Sequence, residues 1–182
     1  MKEITTIIAK EITDILKEID DNSLVDLHNI IARKNRIFIA GTGRSGLIGK
    51  AFGMRLMHSG YSVYIVGETI TPSINEDDLL LIISGSGNTA TLNLYAEKAN
   101  EINASIALIT TNKTSKIARL SEIVLVIPAA TKNRLAHEPN TIQPLGNQFD
   151  QSAHLLLDAI CISLAELNEG PEKMINKHAN LE

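Results

Sequence analysis

Leu79-Leu80-Leu81-Ile82-Ile83 sets five large aliphatic side chains in a row with no polar residue between them. Successive side chains of a strand point to opposite faces, so a strand of this kind has two apolar faces to cover. Such strands belong to parallel sheets with helices on both sides; a sheet with one wet face alternates apolar and polar residues instead. Four further runs share the character: Ile37–Ala40, Ser62–Val66, Ile106–Thr110 and Ile123–Ile127. Helical stretches at Leu47–Ser59 and Thr89–Asn100 lie between strands and give repeated βα units. The expected fold is α/β, a doubly wound five-stranded parallel sheet flanked by helices.

Before residue 36 the chain reads as two helices. Ile4, Ile7, Ile8, Ile12, Ile15, Leu16 and Ile19 recur at three- and four-residue intervals and form one apolar stripe. Ser23 is a candidate cap for the second helix, with Leu24, Leu27, Ile30 and Ile31 on its inner face. Residues 1–35 are expected to be a helical extension, and 36–182 the α/β core with C-terminal helices, all within one domain. Pro128–Pro144 holds three prolines and no period, so it reads as a loop. Gln148–Leu167 reads as a long helix and Pro171–Lys177 as a short terminal one.

Composition narrows the function classes. With three Tyr, three Phe and no Trp, the core must be aliphatic. Cys161 is the single cysteine, which excludes an intramolecular disulfide and a cysteine-based zinc site. A net charge of -4 argues against a nucleic-acid partner, which needs a basic face. Lys2, Glu3, Lys10 and Glu11 leave no secretory h-region, and no apolar run approaches the roughly 18–20 residues that span a bilayer. The expectation is a cytoplasmic protein with no membrane association.

Two glycine turns carry the chemistry. Gly41-Thr42-Gly43-Arg44-Ser45-Gly46 follows the first strand and opens a helix. It matches G-x-G-x-x-G, and Glu68 stands 22 residues beyond Gly46 at the end of the next strand, as in dinucleotide-binding proteins. Ser84-Gly85-Ser86-Gly87-Asn88-Thr89 repeats the strand-to-helix position. A dinucleotide fold has no use for that second turn, whereas a phosphate monoester does. Glycines admit the ligand to the backbone, a helix N-terminus supplies N–H groups and partial positive charge, and the hydroxyls of Ser84, Ser86 and Thr89 donate hydrogen bonds. Each turn alone is also explained by ordinary helix capping. Together, at the same carboxyl edge of the sheet, they point to phosphate.

Single residues leave alternatives open. Asp150 opens the last long helix, as a catalytic carboxylate or as a first-turn acid favoured by the helix dipole. Glu68 ends a strand and either holds a loop or reaches a substrate hydroxyl. His154 lies one turn after Asp150, close enough to tune it, while His28 and His137 read as surface or loop residues. His58 ends a helix, where a cation suits the dipole. Arg44, Lys50 and Arg55 offer positive potential to an anionic substrate, and Cys161 reads as core.

At the two turns the sequence resembles the sugar isomerase (SIS) domain family, and within it the hexulose-phosphate isomerase branch. The resemblance extends through Met54–His58, Gly67–Pro72, Pro144-Leu145-Gly146, Phe149-Asp150-Gln151 and Lys177–Leu181. It implies a SIS-like fold and conversion of D-arabino-hex-3-ulose 6-phosphate to fructose 6-phosphate through a cis-enediolate, without metal or cofactor. The pathway it implies is the ribulose monophosphate route of formaldehyde fixation, with functional coupling to 3-hexulose-6-phosphate synthase. It also implies a homo-oligomer, a tetramer. Asp150 is then the base, where the family usually has Glu; His178 is an acid on a substrate oxygen or holds a simple helix-end role, and Glu68 is a secondary candidate. Gly43, Arg44, Ser45, Ser84, Gly85, Ser86, Gly87, Asn88 and Thr89 are the substrate-binding candidates.

Two other readings compete. One is an NAD-dependent oxidoreductase built on Gly41–Gly46 and Glu68, although 182 residues leave little room for a separate substrate domain. The other is a non-catalytic sugar-phosphate sensor, which would need a DNA-binding module; the helices before Arg36 show no basic recognition helix.

Overall fold

The computed structural model describes residues 1–168 and 174–180. Helices α1 (Lys2–Lys17) and α2 (Asp21–Arg33) precede β1 (Arg36–Gly41), α3 (Gly43–His58), β2 (Ser62–Ile65) and β3 (Leu79–Ile83). Then come α4 (Ala90–Glu101), β4 (Ser105–Thr110), β5 (Ile123–Val126) and α5 (Asn147–Asn168), with short 3-10 turns at Ala118–Leu120 and Ile175–Lys177. The five strands are all parallel, in the order β2-β1-β3-β4-β5.

The uninterrupted apolar strands do feed two cores. Leu79, Leu81 and Ile83 join Ile37, Ile39, Ile109 and Leu125 in one cluster with Phe52 and Leu56 of α3 and Leu157 and Ile160 of α5. Leu80 and Ile82 point the other way, to Phe38, Ile106 and Leu108 and to Leu92, Ala96 and Ala99 of α4. Burying both faces of a strand is worth about 1.5–3 kcal/mol per large aliphatic side chain, which is what holds helices on both sides.

Four details differ from the sequence-based expectation. Asp20, not Ser23, caps α2: its carboxylate accepts the Ser23 amide at 3.0 Å, so Ser23 is the donor at N3. α2 belongs to the core, with Leu27, Ile30 and Ile31 fully buried beside β5, although it was expected to lie in an extension. α3 starts at Gly43 rather than Leu47, so the glycine turn lies in the helix's own first turn. The terminal helix expected at Pro171–Lys177 is a 3-10 turn over Ile175–Lys177, and 171–173 fall outside the described residues, as does Leu181.

The strand order fixes where a ligand can bind. From β1 the chain moves to β2 on one side, and from β3 to β4 on the other. The connections after β1 and β3 therefore diverge to opposite faces and leave a crevice at the carboxyl edge between them. Both glycine turns open there.

Candidate functional site

Close approach of backbone to backbone shapes the first turn. A Cβ on Gly41 would lie 2.9 Å from the Gly46 amide nitrogen, and one on Gly46 would lie 2.8 Å from the Gly41 carbonyl oxygen. Any side chain at either position would push α3 away from β1. The crossing directs Thr42 and Ser45 into the crevice and Arg44 toward α5.

The second turn is braced from below. The Gly85 carbonyl accepts hydrogen bonds from the Thr110 hydroxyl at 3.0 Å, the Thr111 hydroxyl at 2.9 Å and the Thr111 amide at 3.0 Å. Ser84 Oγ accepts the Gly87 amide and Ser86 Oγ the Asn88 amide, each at 3.2 Å. Both hydroxyls are thus oriented by backbone, and each keeps its own proton to donate. Thr89 is the N-cap of α4 but makes no side-chain capping bond, so its hydroxyl also stays available. Asn88 is occupied instead in tying the turn to the Lys116 amide through Oδ1, at 3.0 Å.

Asp150 sits in the first turn of α5, only 6% exposed. Ser45 Oγ donates to its Oδ1 at 2.8 Å, and Arg44 Nε to its Oδ2 at 3.2 Å. The carboxylate and the Ser84–Thr89 turn face one cavity of about 790 Å³, along with Thr42, Ser45, Thr111, Asn112 and the 128–139 segment. A second, apolar groove of about 540 Å³ runs behind Asp150 and Arg44, between α1, α3 and α5.

Other candidates are not brought to that cavity. Glu68 pairs with Lys50 of α3 at 2.5 Å, both half exposed, and does not line it. His178 stacks on His58, ring centroids 5.3 Å apart, at the far end of α3 from Ser45. The 13 residues from Ser45 to His58 span about 20 Å of helix, so within one chain His178 stays remote from Asp150. His58 is buried, and burial first, then the charges of His178 and Arg55, hold its pKa below the ordinary histidine value. The dipole-stabilised cation expected there is replaced by an imidazole biased toward neutrality. His154 pairs with Asp158 at 3.4 Å rather than tuning Asp150. Arg55 lies at the His58 end of α3, leaving Arg44 as the arginine at the carboxylate. Cys161 is core as expected, its thiol pushed up to about 12, chiefly by burial.

The cavity also holds Lys132 and Asn133, which carry no motif, and His137, expected only as a surface or loop residue. All three line it from the irregular segment between β5 and α5. A loop has no period to mark which side chains face inward. The one usable signal was a lysine and a histidine between two sheet-edge elements.

Comparisons with known proteins show the family and the fold. The SIS domain model matches residues 30–141. A 3-hexulose-6-phosphate isomerase of Bacillus subtilis is 38% identical over 96% of this chain and 95% of its own length. One from Mycobacterium gastri is also 38% identical, over 97% and 89%. A crystal structure from Methanococcus jannaschii, for which a 3-hexulose-6-phosphate isomerase function is inferred, superposes with a TM-score of 0.85 at 34% identity, covering 100% of both chains. Among the described residues, no helix is long and apolar enough to cross a membrane.

Proposed function

The chain belongs to the SIS domain family, as an isomerase of that family, and we propose that it converts D-arabino-hex-3-ulose 6-phosphate to fructose 6-phosphate. One observation carries the reading: a hydroxyl-rich turn at a helix N-terminus and a buried, oriented carboxylate line the same cavity.

In this reading the phosphate sits on the Ser84–Thr89 turn. Ser84, Ser86 and Thr89 donate hydroxyl protons to its oxygens, helped by the unpaired N–H groups at the start of α4. Asp150 takes the C2 proton. The electron pair of that bond becomes the C2–C3 double bond of a cis-enediolate, and the C3 carbonyl pair moves onto O3. Protonation at C3 by the same carboxyl group, with transfer of the O2 hydroxyl proton to O3, completes fructose 6-phosphate. Ser45 and Arg44 fix the orientation of the carboxylate and leave its remaining lone pairs for the proton. No electron leaves the substrate, so the step balances with a base and oxyanion donors.

The competing dinucleotide reading needs Glu68 beside the Gly41–Gly46 turn as a ribose acceptor, and Glu68 is engaged by Lys50 outside the cavity. His178 enters the proposed site only from a second copy of the chain, which fits a homotetramer and the exposed apolar residues Leu47, Met54, Leu155 and Ile162. The wider reading is a cytoplasmic enzyme of the ribulose monophosphate pathway of formaldehyde fixation, coupled functionally to 3-hexulose-6-phosphate synthase. The test supplies that synthase with ribulose 5-phosphate and formaldehyde and follows fructose 6-phosphate. Formation that depends on this protein supports the proposal; none at micromolar enzyme overturns it.

A further inference from the structure

Lys132, Asn133 and His137 share the cavity with the serine turn but come from a segment with neither helix nor strand, so its shape depends on discrete ties. Some are internal. The Glu138 carboxylate accepts the Thr131 amide at 2.9 Å, the Thr131 hydroxyl at 2.7 Å and the Leu135 amide at 3.1 Å. Arg134 donates to the Thr131 carbonyl at 2.9 Å and to the Gln143 carbonyl. At its start the segment is tied to α5, where Gln148 accepts the Ala130 amide at 2.8 Å.

Its end is tied to α1, outside the stretch that matches the SIS domain. Glu11 Oε2 accepts the Thr141 hydroxyl at 2.5 Å and the Gln143 side-chain amide at 2.9 Å, and Oε1 accepts the Ile142 amide at 2.9 Å. One carboxylate thus takes three donors from three consecutive residues some 130 positions away. Gln143 is 2% exposed, and its Oε1 is buried without a hydrogen-bond partner, so Glu11 accounts for its side-chain bonding. Just beyond lie Pro144, Leu145 and Gly146, and the Gly146 carbonyl accepts the Asp150 amide at 3.1 Å.

We infer that Glu11 is a positioning residue for the isomerase site: from α1 it clamps residues 141–143 and so fixes the wall that presents Lys132, Asn133 and His137 to the substrate. This rests on the isomerase reading above. α1 itself is held by Ile12 and Ile15, buried against the rest of the molecule, so losing the carboxylate loosens the segment and not the helix. Asp150 keeps Ser45 and Arg44, so the loss falls on substrate binding and spares the proton transfer.

The test compares Glu11→Ala with Glu11→Gln. Alanine removes all three bonds. Glutamine keeps a carbonyl acceptor, and Gln143 can turn its unpartnered Oε1 toward the new amide. The Ala variant is expected to raise KM about tenfold with kcat within about threefold of wild type. Hydrogen exchange should quicken over residues 131–143, and Glu11→Gln should restore both readouts. A wild type that turns over hexulose phosphate beside an Ala variant with unchanged KM, or one whose exchange does not quicken, overturns the clamp. Equal loss in both variants also overturns it. A wild type with no turnover overturns the isomerase reading instead, and with it any role for Glu11 in that reaction.

Discussion

Ser45 Oγ donates to Asp150 Oδ1 at 2.8 Å, joining the first glycine turn to the last helix across 105 residues of sequence. The Ser45 hydroxyl, a substrate-binding candidate by sequence, is spent on the carboxylate. Ser45→Ala is therefore expected to lower kcat about tenfold or more, with KM within a few-fold, since a hydrogen bond to a charged group is worth about 1.5–3 kcal/mol. Steady-state kinetics decide it: a rise in KM at constant kcat would return Ser45 to phosphate binding.

Ser84→Ala and Ser86→Ala should act in the opposite sense, each weakening substrate binding by about 1–3 kcal/mol through the lost donor to phosphate. Thr89→Ala should behave like them. Its hydroxyl makes no capping bond, so the variant should keep its melting temperature, contrary to what a capping threonine would do. Calorimetric titration with fructose 6-phosphate reads the binding loss. Unchanged affinity in both serine variants would remove the turn as the phosphate site.

Gly87 has a φ of +62°, and a Cβ there would sit 2.5 Å from Ser115 Cβ and closer still to its hydroxyl. Gly87→Ala should cost more than about 2 kcal/mol, because strain and steric overlap act together. Urea denaturation measures this. A variant as stable as wild type would show that the turn relaxes freely.

Strand positions were legible because burial on both faces leaves a local mark, as in Leu79–Ile83. The two turns and the placement of Asp150 were legible for a similar reason, since strand-to-helix connections after parallel strands share one edge. Pairings between distant side chains leave no such mark. Nothing in the spacing of Glu11 and Thr141, or of His58 and His178, indicates contact, and Asp158 drew His154 away from Asp150 by lying four residues on along the same helix. The irregular 128–146 segment has no period that would mark Lys132, or bring His137 from a plain loop position to the cavity.

Burial of His58, with the charges of His178 and Arg55 beside it, makes stability depend on pH. With its folded pKa below the ordinary value, His58 binds fewer protons in the native than in the unfolded state in the window below about pH 6.5. Stability should fall as pH drops through that window, and the loss is complete below the folded pKa. Arg55 and His178 are the charged groups facing it. His178→Ala removes one of them and should make the decline shallower. Melting temperatures at about pH 7.5 and 5.5 suffice; equal slopes in both proteins would contradict this account.

The proposed isomerisation turns on Asp150 as the group that moves the proton. Asp150→Asn keeps shape and polarity while removing the acceptor, so kcat should fall about 10²–10⁴-fold with KM within a few-fold, while Asp150→Glu should retain activity. The most direct measurement is exchange of the substrate's C2 hydrogen with deuterated solvent on the Asn variant. The account predicts that exchange collapses in step with kcat; exchange at the wild-type rate would place the base elsewhere.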